Sequence, residues 1–181
     1  VFDDDGNPVD CYATNGFVRK HNRESVHDRD TLGKLNGAPF VRHEISGDSF
    51  KETANGRKVL DRDFIRTKLD YHRRNKHSTG WGYTHNFKPW DLAHLAPKSW
   101  PSNFVTLASC DNEETKAAAI AAGWRTARVI QNPGERHKDE VLCPYDLAKY
   151  RGKNPVEMGI NCTSCQKCLP GQTYNIAFLP L

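Results

Sequence analysis

Apolar and polar positions in this chain alternate in short runs that turn residues interrupt. Phe40-Val-Arg-His-Glu-Ile-Ser46 reads as a first strand, and it stops at Ser46-Gly47-Asp48, a turn. His43 and Glu44 fall on opposite faces of that strand, so at most one of them faces inward. Val59, Leu60, Phe64, Ile65 and Leu69 recur at helical spacing and predict a helix over 59–69. Trp81–Asn86 reads as a second strand, and Pro89–Leu95 as a short helix with proline in its first turn. Asn103–Ser109 is a third strand. Asp111 or Asn112 then caps a helix over Glu113–Ala122, which Gly123 ends. Thr126–Gln131 is a fourth strand, Val141–Cys143 a fifth and Tyr174–Phe178 a last short one. Upstream, residues 1–11 form an acidic, turn-rich loop that delivers Cys11, and the polar stretch Phe17–His27 is compatible with a helix.

Strands alternating with helices predict an α/β fold with a mostly parallel sheet. A full eight-unit barrel takes about 250 residues, so a partial barrel or an open twisted sheet is expected. We expect residues 1–140 to form the α/β domain and 141–181 a cysteine-rich, metal-binding tail packed on it. The 181 residues carry 26 basic and 22 acidic side chains, for a net charge of +4. This mild excess is compatible with nucleic acid without requiring it. There is no apolar run near the length of a membrane span and no signal-peptide pattern. The six cysteines cluster rather than spread, which favours metal in a reducing compartment over a secreted disulfide framework.

Four of those cysteines lie in the tail. Cys143-Pro144 is followed by Cys162-Thr-Ser-Cys165-Gln-Lys-Cys168. Two CxxC turns that share Cys165 put three thiolates on one small loop, which suits one face of a cubic [4Fe–4S] cluster with Cys143 as fourth ligand. A single zinc ion on the same four thiolates is the alternative. Pro144 after Cys143 resembles the Cys-Pro of bacterial ferredoxins. A disulfide pair or free buried thiols is the plainer reading.

Parallel α/β folds bind ligands at the carboxyl ends of their strands. Those ends here carry Ser46, Gly47 and Asp48, then Thr84, His85 and Asn86, then Ser109, Cys110, Asp111 and Asn112. Turn formation explains any one of them; three such ends together point to a pocket. Asp48, His85 and His43 are the candidate acid–base groups, and Ser46, Gly47, Asp48, Thr84 and Asn86 the candidate ligand-binding ones. Cys110 reads as a small buried residue, and Cys11 as a substitute ligand or second site. The run Arg73-Arg74-Asn75-Lys76-His77 is ordinarily a solvated loop. With Tyr71, Trp81, Tyr83, Phe87 and Trp90 nearby, it also fits a phosphate-and-stacking surface for single-stranded nucleic acid. Trp90, Trp100 and Trp124 read as packing residues.

The order Cys11-Tyr-Ala-x-x-Gly16, Arg42-His-x-x-Ser46-Gly-Asp48-Ser-Phe50, Gly82-Tyr-Thr84, Ser109, Cys143-Pro144 and Cys162-x-x-Cys165-x-x-Cys168 resembles the "gene product 88" family of bacteriophage and mobile-element proteins. The resemblance covers nearly the whole chain, although each motif is short. It implies a phage origin, a host-cytoplasmic location and a cysteine-bound centre, and no particular reaction. That family is distantly similar to radical S-adenosylmethionine enzymes, which combine a partial barrel with a [4Fe–4S] cluster held by CxxxCxxC. Here Cys11 stands without upstream cysteines. If Val1 is near the true start, cleavage of S-adenosylmethionine is not expected; if residues precede it, the triad lies among them. With four protein ligands the cluster would be closed, serving structure, redox sensing or electron transfer. Nucleic acid or a host protein is the expected partner, and no membrane.

Overall fold

The computed structural model describes residues 37–43, 49–91 and 95–180. Six strands form one parallel sheet: β1 (Phe40–Arg42), β4 (Thr79–Thr84), β5 (Phe104–Ser109), β6 (Thr126–Val129), β7 (Glu140–Leu142) and β8 (Asn175–Phe178). The spatial order is β1-β4-β5-β6-β8-β7, so the sheet is open. Between β1 and β4, β2 (Phe50–Glu52) and β3 (Lys58–Leu60) pair antiparallel as a separate hairpin, and α1 (Arg62–Arg74) follows. Among the described residues, the other α-helices are α2 (Lys88–Asp91), α3 (Glu113–Ala121), α4 (Pro144–Tyr150) and the single turn α5 (Cys162–Cys165).

The α/β class and the parallel sheet agree with the sequence, but several boundaries move. The helix expected over 59–69 begins at Arg62, because Val59 and Leu60 are used as strand partners of Lys51 and Phe50. Asp61 caps it, its carboxylate accepting from the Phe64 N–H at 3.0 Å. The helix runs on to Arg74, so Arg73 and Arg74 of the basic run are its end, Asn75 is its C-cap, and Lys76 and His77 lie in the turn that follows. Strand two starts earlier, at Thr79, and ends at Thr84. Asn112, not Asp111, caps α3, in a reciprocal capping box with Thr115. The hairpin β2–β3 and helix α4 have no counterpart in the expected element list. The expected helix at 17–27, the loop delivering Cys11, the 44–46 end of the first strand and the 92–94 part of the Pro89–Leu95 helix lie outside the described residues.

The alternation of β5 shows that the sheet is buried on both faces. Phe104 and Ala108 point to one side, where they pack with Ile65 and Leu69 of α1, Ala119 of α3, and Phe87, Trp90, Leu95 and Trp124. Val105 and Leu107 point to the other, against Trp81, Ala127, Ile176, Leu169 and the partly buried Cys168 and Tyr174.

The strand order explains this division. β1, β4, β5 and β6 lie side by side in chain order, and the helices between them share one face, as right-handed crossovers in one direction require. The chain then reaches the edge at β7 and steps back to insert β8. A right-handed crossover that steps backwards crosses the opposite face. The part of the β7–β8 connection that crosses is the cysteine segment.

Candidate metal centre

Cys143 sits at the carboxyl end of β7, where it is the N-cap of α4, with Pro144 at the first helical position. Its own N–H donates to Ala177 O at 2.9 Å, which ties it to β8. Beyond α4 the chain turns to the other face of the sheet and reaches Asn161. This residue closes a capping box on α5: the Ser164 N–H donates to Asn161 Oδ1 at 2.9 Å and the Asn161 N–H to Ser164 Oγ at 3.0 Å. Cys162 and Cys165 are thereby i and i+3 of one helical turn and share a face. Gln166 follows in the left-handed region (φ 56°) and turns the chain toward Cys168.

Arg125, the residue before β6, holds this loop by its main chain. Its guanidinium donates to Lys167 O at 3.0 Å, Leu169 O at 2.9 Å and Tyr174 O at 2.9 Å, and lies over the Tyr174 ring. These carbonyls, with Cys168 O at 3.5 Å as a fourth, fix the backbone of the loop around Cys168 against the sheet.

Cys168 is the thiol whose charge the other three affect or feel. Burial raises its pKa, neighbouring Cys162 and Cys165 add to the rise, and the Tyr83 hydroxyl and Arg125 oppose it. Burial likewise pushes Cys143 up to about 12; the N–H groups of Asp146 and Tyr145 pull it down, while the Asp146 carboxyl and Cys168 push it up. The surroundings thus include thiolate-stabilising donors, from two backbone amides, one phenol and one guanidinium. Cys162 is exposed, whereas Cys143, Cys165 and Cys168 are half-buried. All five described cysteines are free, including buried Cys110. Among the described residues, no three Cys, His, Asp or Glu side chains are assembled closely enough to hold a metal ion.

The strand-end candidates divide by burial. His43 and Thr84 are buried on the helical side. His72 Nδ1 lies 3.1 Å from Ser78 O, a group that only accepts, so Nδ1 carries the proton. His72 Nε2 therefore accepts from His43 Nε2–H at 2.8 Å. Burial, then Lys68, then His72 holds His43 well below its ordinary pKa, and burial is also the main cause of the lowered His72 pKa. The pair is a neutral, internally bonded unit. It requires Gly80, since a Cβ there would lie 2.1 Å from His72 Nε2. Thr84 Oγ1 accepts from the Asn86 N–H at 3.1 Å. His85, one residue past the end of β4, is exposed, with Asp111 Oδ1 3.8 Å from its Nε2. His43 is thus buried and His85 exposed. Ser46, Gly47, Asp48, Glu44 and Cys11 lie outside the described residues.

The proposed stacking surface needs correction. Tyr71, Trp81, Phe87 and Trp90 are buried in the core and present no face to a base. Tyr83 is half-buried, edge-on to Phe178 and beneath Arg42. Trp90, Trp100 and Trp124 form a mutual cluster of edge-to-face rings, as the packing reading expects. Arg73 is bound to Asp70 at 2.8 Å and to Ser99 O at 3.0 Å, whereas Arg74, Lys76 and His77 are exposed.

Sequence reasoning placed Tyr83 only in the stacking surface, not beside the cysteines, and gave no role to Arg125. Tyr83 has a signal, because it shares strand parity with Trp81. Arg125 has none: its carbonyl partners lie 42 to 49 residues away. No helix among the described residues is long and apolar enough to cross a membrane. No protein-family model matches the chain, and no curated protein or solved structure matches it.

Proposed function

We propose that the chain is a phage-type iron–sulfur protein in which Cys143, Cys162, Cys165 and Cys168 hold a [4Fe–4S] cluster of structural or redox role, beside a ligand pocket at the carboxyl ends of the strands. The observation that supports the reading is that Cys143, Cys162 and Cys165 each interact electrostatically with Cys168, among groups that stabilise thiolates. A soft, all-sulfur set favours iron–sulfur clusters, zinc or copper(I) over hard cations. Ligation would require α5, which is one turn long and carries exposed Cys162, to move toward Cys168. A bound cluster would supply one-electron chemistry or a cross-link between β7, α5 and the loop before β8. Free thiols agree with a reducing host cytoplasm, and the resemblance to the "gene product 88" family agrees with a phage origin.

The alternative is one zinc ion on the same thiols in a nucleic-acid-binding or host-interaction protein. The exposed Arg74, Lys76 and His77 favour it. A degenerate enzyme of the radical S-adenosylmethionine type is a further variant of the iron–sulfur reading, and the single-sided arrangement of its forward crossovers agrees with it.

Metal analysis and a visible spectrum of protein purified without oxygen separate these readings. About four irons with sulfide and absorbance near 400 nm are expected for the cluster. One zinc and no colour would replace the cluster with a zinc knuckle. Absence of any metal, with unchanged stability on adding iron and sulfide or zinc, would overturn both.

A further inference from the structure

The cysteine segment also carries an apolar knuckle. Val156 is 70 % exposed, Met158 51 % and Tyr150, at the end of α4, 51 %. These are three of the five large hydrophobic side chains exposed among the described residues, and they fall within nine positions. A single exposed apolar side chain is ordinary; this concentration in one connection is not.

The knuckle has a fixed shape. Gly152 and Gly159 bracket it, both at φ 68°. The Val156 N–H donates to Asn154 Oδ1 at 3.1 Å, and Asn154 Nδ2 donates to Glu157 Oε1 at 2.9 Å. The Met158 N–H donates to Asn154 O at 3.2 Å and the Ile160 N–H to Pro155 O at 2.8 Å, with Pro155 buried beneath. A turn already locked by its own hydrogen bonds loses little entropy when another surface closes on it. Its charge is one-sided: Lys149, Arg151 and Lys153 are exposed along this stretch, against Glu157 alone.

We propose that residues 149–160 dock a protein partner that presents carboxylates around an apolar spot. Val156 and Met158 are the anchors, and Lys149, Arg151 and Lys153 steer the encounter. The charges argue against a second copy, because an isologous contact would bring these like-charged groups together. Nucleic acid is disfavoured because two of the three exposed side chains are aliphatic and cannot stack on bases. An anionic membrane is disfavoured because Glu157 lies between the two aliphatic anchors, which are few for interfacial binding. The surface suits a small, transient interface. It does not depend on the metal reading, but it lies on the chain between Cys143 and Cys162, so a partner bound here sits on the segment that carries the cysteines.

The test is fluorescence anisotropy of the full chain with a labelled amphipathic helical peptide, leucines on one face and glutamates on the other. Binding that weakens with salt is expected. Val156→Ser with Met158→Ser should weaken it about tenfold, and Lys153→Glu comparably. All three positions are exposed, and circular dichroism melts confirm that the variants fold. The comparison probes are the peptide with serines for leucines, a single-stranded oligonucleotide, phosphatidylserine vesicles, and the chain itself by sedimentation. No binding, equal binding of the serine peptide, or unchanged affinity in the double variant would overturn the proposal. So would binding of oligonucleotide, vesicle or a second copy that depends on these same residues. Because zinc- or iron-loaded and metal-free protein can each be tested, failure of the metal reading leaves this result legible.

Discussion

Glu140 is a fully buried carboxylate whose position depends on cations from other elements. Lys116 Nζ lies 2.9 Å from Oε1, Arg128 Nε 2.6 Å from Oε1 and Nη2 3.0 Å from Oε2, and the His137 N–H donates to Oε2 at 2.8 Å. Burial alone would raise its pKa; the donors outweigh it and hold the pKa at about 2. A depressed carboxyl pKa contributes stability that is fully present above the unfolded value of 4.5 and is lost as pH falls toward 2. Glu140→Gln leaves two buried cations short of a partner and should cost about 3–5 kcal/mol in urea unfolding at pH 7. The stability of the variant should also vary less between pH 4.5 and 2; an equal acid slope in both proteins would remove Glu140 from this role. The histidine pair acts in the same direction by a different route. His43 and His72 have lowered folded pKa values, so their contribution is present above 6.5 and lost as pH falls below it. Gly80→Ala should displace His72 and cost roughly 1–3 kcal/mol, with an NMR shift of the His43 ring signals as the check.

At the scale of elements, the connection from β7 to β8 does more than join two strands. Arg125 holds its returning loop by main-chain carbonyls, so Arg125→Met should loosen residues 162–174 while leaving the sheet in place. Hydrogen exchange is expected to quicken in this loop and not in β4 or β5; uniform quickening would mean that Arg125 supports the whole fold. α3 was the most legible helix, because its cap and its terminating Gly123 are local signals. α1 was misread at its start because Val59 and Leu60 fit a helical stripe and a hairpin strand equally well, and pairing with Phe50 and Lys51 decided between them. α4 was missed because its seven residues are too few for a periodic stripe and the pattern is dominated by the cysteines on either side.

At the scale of the molecule, metal ligation would join the edge strand, α5 and the loop before β8, so its removal should be felt globally. If the centre forms, chelation or Cys168→Ser should lower the melting temperature, because ligation free energy becomes folding free energy. Without metal, the raised Cys143 pKa implies stability that is present below the ordinary thiol value of 9.0 and lost as pH rises toward about 12. Metal-free protein should therefore weaken over that alkaline interval, and Cys143→Ala should flatten the effect, as followed by urea midpoints. The sequence by itself determined the α/β class, most strands and the position of α3, because alternation, capping residues and a terminating glycine are short-range signals. Only the tertiary structure decided that β8 inserts between β6 and β7, which sends the cysteine segment over the face opposite the helices. It also decided that His43 is spent on His72, that the aromatics near the basic run are core, and that Tyr83 and Arg125 flank Cys168. Each of these depends on contacts between residues far apart in the chain, which no local pattern encodes.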